Sequence, residues 1–162
     1  MRCVRLDCCA GVGLCVLVSF ALLRARALPG ADDWTELKPE YSIPPALTGD
    51  ASHKTRVDFM LTGGITHYLE VKNCHLVAED GWGYFPDSVS DRAAKHVGCL
   101  AQLAERGYRA TVLLCVQRSD CRFDVRAQAR RARRRARSCS QLGFTAAISS
   151  VRRELCTTSL SW

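Results

Sequence analysis

Aromatic residues make up only 7% of the 162-residue chain, and none of its ten cysteines forms a CxxC pair. Without such pairs, or a Cys/His set at zinc-finger spacing, no zinc module is indicated. No internal repeat is visible. No uncharged run exceeds the sixteen residues of 8–23, which excludes a multi-span membrane protein. One stretch lacks acid altogether: 126–137 holds seven arginines and no Asp or Glu. The formal net charge is +7, so the rest of the chain sums to zero. The basic pI therefore reports one local run rather than a basic surface. What is present, 48% hydrophobic and 24% charged residues, suits one globular domain and excludes collagen or a wholly disordered chain.

The uncharged run CCAGVGLCVLVSFALL follows Arg2 and Arg5 and precedes RARA at 24–27. A positive flank, a short apolar centre and an A-x-A pattern read as a secretory signal peptide. As a helix the run spans about 24 Å, short of the roughly 30 Å hydrocarbon core. A spanning helix is thus the second choice, and an organellar presequence or a mispredicted start are others. Residues 1–28 are accordingly expected to stand outside the fold. The leader points to a secretory or organellar address, or to a cytoplasmic or nuclear one if it is an artefact. A membrane partner is expected only if the leader is retained. Six cysteines remain beyond it, and they read as small buried hydrophobes rather than a disulfide framework.

Residues 29–53, rich in Pro and Gly, read as a linker with one short helical turn. TRVDFML at 55–61 alternates, Thr62-Gly63-Gly64 signals a turn, and THYLEVK at 66–72 returns, which predicts a β-hairpin. CHLVA at 74–78 suggests a third strand. Residues 90–106 have helical periodicity, with Ser90 as a cap and Gly107 as a stop. RATVLLCVQ at 109–117 is a continuous apolar run, as in a strand covered on both faces. A second helix over 125–142 and a last strand at 144–149 complete an α/β fold, a mixed β-sheet flanked by helices over residues 54–155.

The informative feature is Asp58 on one hairpin arm and Glu70-x-Lys72 on the other. Side chains alternate along a strand, so Glu70 and Lys72 share a face with Tyr68, while Leu69 and Val71 face the opposite way. Opposed residues in an antiparallel pair sum to a constant. A loop centred on Gly64 makes that constant 128 and sets Asp58 across from Glu70, roughly 4.5–5.5 Å apart at Cβ. A tight Gly63-Gly64 turn would instead oppose Asp58 to Leu69 and set the two faces in conflict. Neighbouring carboxylates repel unless a counter-charge intervenes. Mg²⁺ meets that need, because it takes one or two carboxylates and keeps water or phosphate oxygens elsewhere. Lys72 would then assist an attacking water or stabilise developing charge. On spacing alone a surface salt bridge between Lys72 and the two acids is the favoured reading, since so short a pattern occurs by chance.

At this point the chain resembles the sugar fermentation stimulation protein family, whose C-terminal part looks like a PD-(D/E)XK nuclease domain. The residues that carry the resemblance are RVDFML at 56–61, YLEVKN at 68–73, GYFPDSVSDRAAKH at 83–96 and AERGYRATVLLCVQRSD at 104–120. The resemblance implies a restriction-endonuclease-like core with Asp58, Glu70 and Lys72 as the catalytic-type triad, Asp58 and Glu70 holding the metal. It suggests Glu40 in LKPEY as an upstream acid of the same site. It also draws attention to Phe85, Pro86 and Asp87, and to Arg92, Lys95 and His96. The last three lie at i, i+3 and i+4 of a helix, where they would share a face along a phosphate backbone. Arg118, at the end of the apolar strand, is a further candidate for that role. His67 and His75 have no partner pattern and read as surface or strand residues.

Two departures from the family follow. Members resemble one another in an N-terminal OB-type barrel that holds single-stranded nucleic acid. These 162 residues contain no counterpart of it, which lowers the expected independent affinity or makes the sequence a truncated one. Second, ARRARRRAR at 129–137 replaces a helix of mixed charge. Arg130, Arg133 and Arg134 would supply a salt-sensitive phosphate-binding surface, a nuclear-import-like stretch, or a merely solvated helix. The expected function is a nucleic-acid-binding, nuclease-like protein, DNA before RNA, acting as a Mg²⁺-dependent phosphodiesterase. The alternatives are a non-catalytic DNA-binding regulator related to sugar metabolism and a truncated inactive fragment.

Overall fold

The computed structural model describes residues 2–5, 12–48, 55–74, 76–84, 91–116 and 121–122. In chain order these form β1 (Arg2–Arg5), α1 (Val12–Arg24), β2 (Glu36–Ser42), α2 (Pro45–Thr48), β3 (Arg56–Thr62) and β4 (His67–Cys74). The short strands β5 (Leu76–Val77) and β6 (Gly83–Tyr84), helix α3 (Asp91–Glu105) and β7 (Arg109–Val116) follow.

The hairpin forms as the alternation predicts. β3 and β4 pair Phe59 with Leu69, Met60 with Tyr68 and Leu61 with His67, the register whose constant is 128. Gly63 sits in the turn at φ +120°, where a Cβ would collide with Thr35. β7 then runs parallel to β4, from His67 opposite Arg109 to Cys74 opposite Val116. Parallel neighbours need a crossover, and α3 lies between them in sequence. The five-stranded sheet has the order β1-β7-β4-β3-β2, with β1 parallel to β7 and β2 antiparallel to β3.

Each face of the sheet carries a helix. On one face Val97, Leu100, Ala101 and Leu103 of α3 pack with Met60, Tyr68, Val112 and Leu114. On the other, Cys15 and Leu23 of α1 and the following Leu28 pack with Phe59, Leu61, Leu69, Val71, Leu113 and Cys115. The apolar run of β7 is thus buried from both sides, as its composition implies. The α/β fold class holds: a mixed sheet flanked by helices.

Three expectations are corrected. Within residues 1–28, α1 and Leu28 belong to the fold, because α1 is one of the two layers that close the core. Its apolar character serves burial against the sheet. Among the described residues no helix is long and apolar enough to cross a membrane. Residues 29–53 are more than a linker, since β2 lies within them and pairs along the edge of the sheet. The third strand shrinks to Leu76–Val77 and pairs with β6 in a separate two-stranded ribbon. The second helix at 125–142 and the strand at 144–149 lie outside the described residues. Of the six cysteines expected to be buried, the described ones, Cys74, Cys99, Cys115 and Cys121, are buried, and Cys15 of α1 is buried with them.

Candidate functional site

β2 and β3 pair Pro39 with Phe59 and Tyr41 with Val57, which sets Glu40 opposite Asp58. Glu40 has φ +51°, a left-handed conformation that a non-glycine residue rarely adopts. The side-chain alternation breaks there. Leu37, Phe59 and Leu61 pack on the α1 face, whereas Tyr41 and Val57 pack on the α3 face. Residues four apart in an undistorted strand share a face, so both strands reverse their facing between these pairs. Backbone strain of this kind clusters at functional sites.

Asp58 stands at the reversal. The β3–β4 ladder runs to Phe59 and Leu69, and the same register carried one step further opposes Asp58 to Glu70. Instead of a backbone carbonyl, Asp58 Oδ2 accepts the Val71 N–H at 2.6 Å. A side chain has replaced the strand's own acceptor, so the two strands part where the acids meet. Burial raises the Asp58 carboxyl above its ordinary value of 3.8, and the neighbouring Glu70 charge adds to the rise. The Val71 N–H, Lys72 and the more distant Glu40 act as smaller influences, the first two downward and the last upward.

Glu70 is 4% exposed. Burial pushes its carboxyl up, but the His96 hydrogen bond and the Lys72 charge outweigh that and hold it below 4.5. Both partners use the same oxygen. Lys72 Nζ donates to Glu70 Oε1, and His96 Nδ1 lies 2.9 Å from it. Lys72 and His96 are themselves largely covered. A buried carboxylate held by two donors is ionised and oriented, which is the state a metal ligand requires.

The structure therefore gathers Asp58, Glu70 and Lys72, as the strand pattern predicts. It also divides the expected helix face. His96 turns inward to Glu70, while Lys95 is exposed. Arg92 lies on α3, but its side chain is outside the description, as are Phe85, Pro86, Asp87, His75, Arg118, Arg130, Arg133 and Arg134. Glu40 reaches the same neighbourhood, although its carboxylate pairs with Arg56 at 2.8 Å. His67 is buried in its strand, its Nε2 2.8 Å from Thr111 Oγ1. The contact of His96 with Glu70 was not legible beforehand. Its only signal was the i, i+4 spacing with Arg92, which reads equally as a solvent face.

Among the described residues no group of three or more His, Cys, Asp and Glu side chains is arranged to hold a metal ion. The donor set is two carboxylates, Asp58 and Glu70. That set fits a hard cation such as Mg²⁺, which is satisfied by one or two carboxylates plus water.

Residues 17–141 match the description "Sugar fermentation stimulation protein RE domain". The chain belongs to the sugar fermentation stimulation protein family. The match begins inside the apolar run, in keeping with α1 as part of the domain. A family homolog from Jannaschia sp. (strain CCS1) is 46% identical over 90 residues, which cover 54% of this chain and 34% of that protein. One from Ruegeria pomeroyi is 40% identical over 108 residues, covering 65% of this chain and 44% of the homolog. The chain thus matches between about a third and under a half of these relatives' length. Among solved structures, SfsA from Pyrococcus furiosus in complex with Ca²⁺ matches 84% of this chain and 51% of its own. Its TM-score is 0.57 at 16% identity, a likeness of fold. The restriction-endonuclease-like core expected of the family is the fold the two share.

Proposed function

We propose that this member of the family is a nucleic-acid-binding protein whose acid, acid and lysine site hydrolyses phosphodiesters with Mg²⁺. The observation that carries the reading is the meeting of Asp58, Glu70 and Lys72 where β3 and β4 part. Two carboxylates at that opening disfavour each other's charge, and a hard divalent cation relieves the conflict. Asp58 and Glu70 would hold the ion. The ion's contribution is to polarise a phosphate and lower the pKa of a bound water. Lys72, fixed by Glu70, supplies a positive charge beside the phosphate oxygen that gains negative charge. The Ca²⁺ in the P. furiosus SfsA structure is another oxygen-seeking cation, which agrees with this chemistry. Lys95 on the exposed side of α3 provides a phosphate contact. Arg92, Arg118, Arg130, Arg133 and Arg134 are the remaining candidates, and DNA is the first substrate to try.

A second reading, a non-catalytic DNA-binding protein, draws on one observation. Lys72 and His96 both engage Glu70, so the acid is neutralised without a cation. The test is to incubate the purified chain with labelled single- and double-stranded DNA and RNA in Mg²⁺, Mn²⁺ or EDTA. The hydrolytic reading expects metal-dependent cleavage that is lost in Asp58→Asn. Binding without cleavage in every metal overturns it in favour of the second reading. Changing the arginines of 130–137 to glutamine is expected to flatten the salt dependence of binding by about 0.9 per lost phosphate contact on duplex DNA.

A further inference from the structure

The two histidines on β4 and α3 are held very differently. His67 meets a neutral hydroxyl on β7, its Nε2 2.8 Å from Thr111 Oγ1 within the core. His96 meets a buried carboxylate that already receives Lys72. An ionised carboxylate only accepts hydrogen bonds, so the hydrogen must sit on Nδ1. Glu70 Oε1 is then bound from two elements at once, by Lys72 of its own strand and by His96 of the covering helix. Among the described residues no hydrogen bond engages Oε2. Val97, Leu100 and Ala101, buried in the core beside His96, fix α3 against the sheet, so the imidazole is a rigid support.

We propose that His96 is a positioning residue, whose Nδ1–H fixes the Glu70 carboxylate so that Oε1 belongs to the protein and Oε2 to a divalent cation. The inference rests on the cation reading of the site and assigns His96 a part in it that a phosphate contact would not require. Partners that orient a metal's ligands change affinity by about 10–100-fold when removed.

The test titrates Mn²⁺ into the full chain without nucleic acid and follows the free ion by electron paramagnetic resonance. Thermal melts check that each variant is folded. His96→Ala is expected to weaken Mn²⁺ binding about tenfold, and His96→Asn to restore it to within about threefold. The Asn amide places an N–H donor where Nδ1 stood, which a general packing role would not reward. Equal affinity in wild type and His96→Ala overturns the proposal, as does equal weakness of the Ala and Asn variants. If the wild type takes up no Mn²⁺, the cation reading fails by itself. The ring ¹⁵N shifts of His96 then decide the positioning role. An Nδ1–H tautomer upholds it, and an Nε2–H tautomer overturns it.

Discussion

The helices on the two sides of the sheet do opposite work with similar ends. α1 is apolar on every side and covers a dry face made of Phe59, Leu61, Leu69, Val71 and Leu113. α3 is amphipathic, and it brings His96 to a charged cluster beside an apolar core. Both stop in the same way. At α3 the Gly107 N–H donates to Ala104 O and the Tyr108 N–H to Leu103 O, both at 3.1 Å. At α1 the Arg26 N–H donates to Leu23 O at 3.0 Å and the Ala27 N–H to Leu22 O at 2.9 Å. This is the double bond pattern of a left-handed helix stop. Gly107 adopts φ +89° there and Arg26 φ +56°. Arg26 offsets its strained backbone by lying 4.1 Å over the Trp34 ring and donating to Asp32 O. The comparison sets the α1 side, closed by apolar packing, against the α3 side, which joins apolar packing to a charged cluster.

The largest effect should come from charging the dry side. Leu23 is fully buried. Leu23→Glu places an unpaired acid against Leu69 and Leu113, and it is expected to cost about 4 kcal/mol or more. Urea unfolding of the purified chain measures it. A variant as stable as wild type would mean that α1 does not close the core, and the apolar run would revert to a dispensable leader.

The same pair of helices explains what the sequence disclosed. The β3–β4 register, the shared face of Glu70 and Lys72, the two-sided burial of β7 and the Gly107 stop follow from period-two alternation, apolar continuity and glycine chemistry. The packing of α1 on the sheet was not legible because sixteen uncharged residues between arginines look the same whether a sheet, a membrane or a secretion channel receives them. Its stop was invisible because Arg26 carries no sequence signal for a left-handed residue. The Asp58 to Val71 bond and the reversal at Glu40 depend on three strands meeting, which pairwise periodicity does not describe. β2 was hidden by Pro39, tolerated because β2 is an edge strand.

Gly107→Ala should have the next effect. A Cβ there meets nothing within 4 Å, so the cost is that of the backbone alone, about 1 kcal/mol for a left-handed alanine. Urea unfolding reads it directly. A loss of several kcal/mol would show that the end of α3 is packed more tightly than its open surroundings indicate.

A smaller shift, of opposite sign, is expected at the site. The raised Asp58 carboxyl binds its proton more tightly folded than unfolded. Its stability contribution is therefore complete below 3.8 and lost as pH rises through the raised value. The lowered Glu70 carboxyl does the reverse, lending stability above 4.5 that is lost as pH falls through its folded value. Asp58→Asn keeps an oxygen for the Val71 N–H and removes the charge beside Glu70. Melts at pH values above and below this range should show it at most about 1 kcal/mol more stable than wild type near neutrality, with the gain vanishing in acid. A gain that is the same at both extremes would refute the electrostatic cause. On the hydrolytic reading proposed above, the variant expected to lose cleavage would gain stability.

The smallest effect returns to α1, on its outer side. Leu17 is 65% exposed, about 1.7 turns of helix before the buried Leu23 and so on a different side of α1. If the apolar character of α1 mattered only where it meets the sheet, Leu17→Glu would change stability by less than about 0.5 kcal/mol, against several for Leu23→Glu. Two substitutions of one residue type, six positions apart, then differ about tenfold in cost. That ratio distinguishes a core helix with one buried side from a segment whose apolar residues all matter equally. Unfolding of the chain by Leu17→Glu would show that the outer side is covered too, and the α1 layer would need a partner of its own.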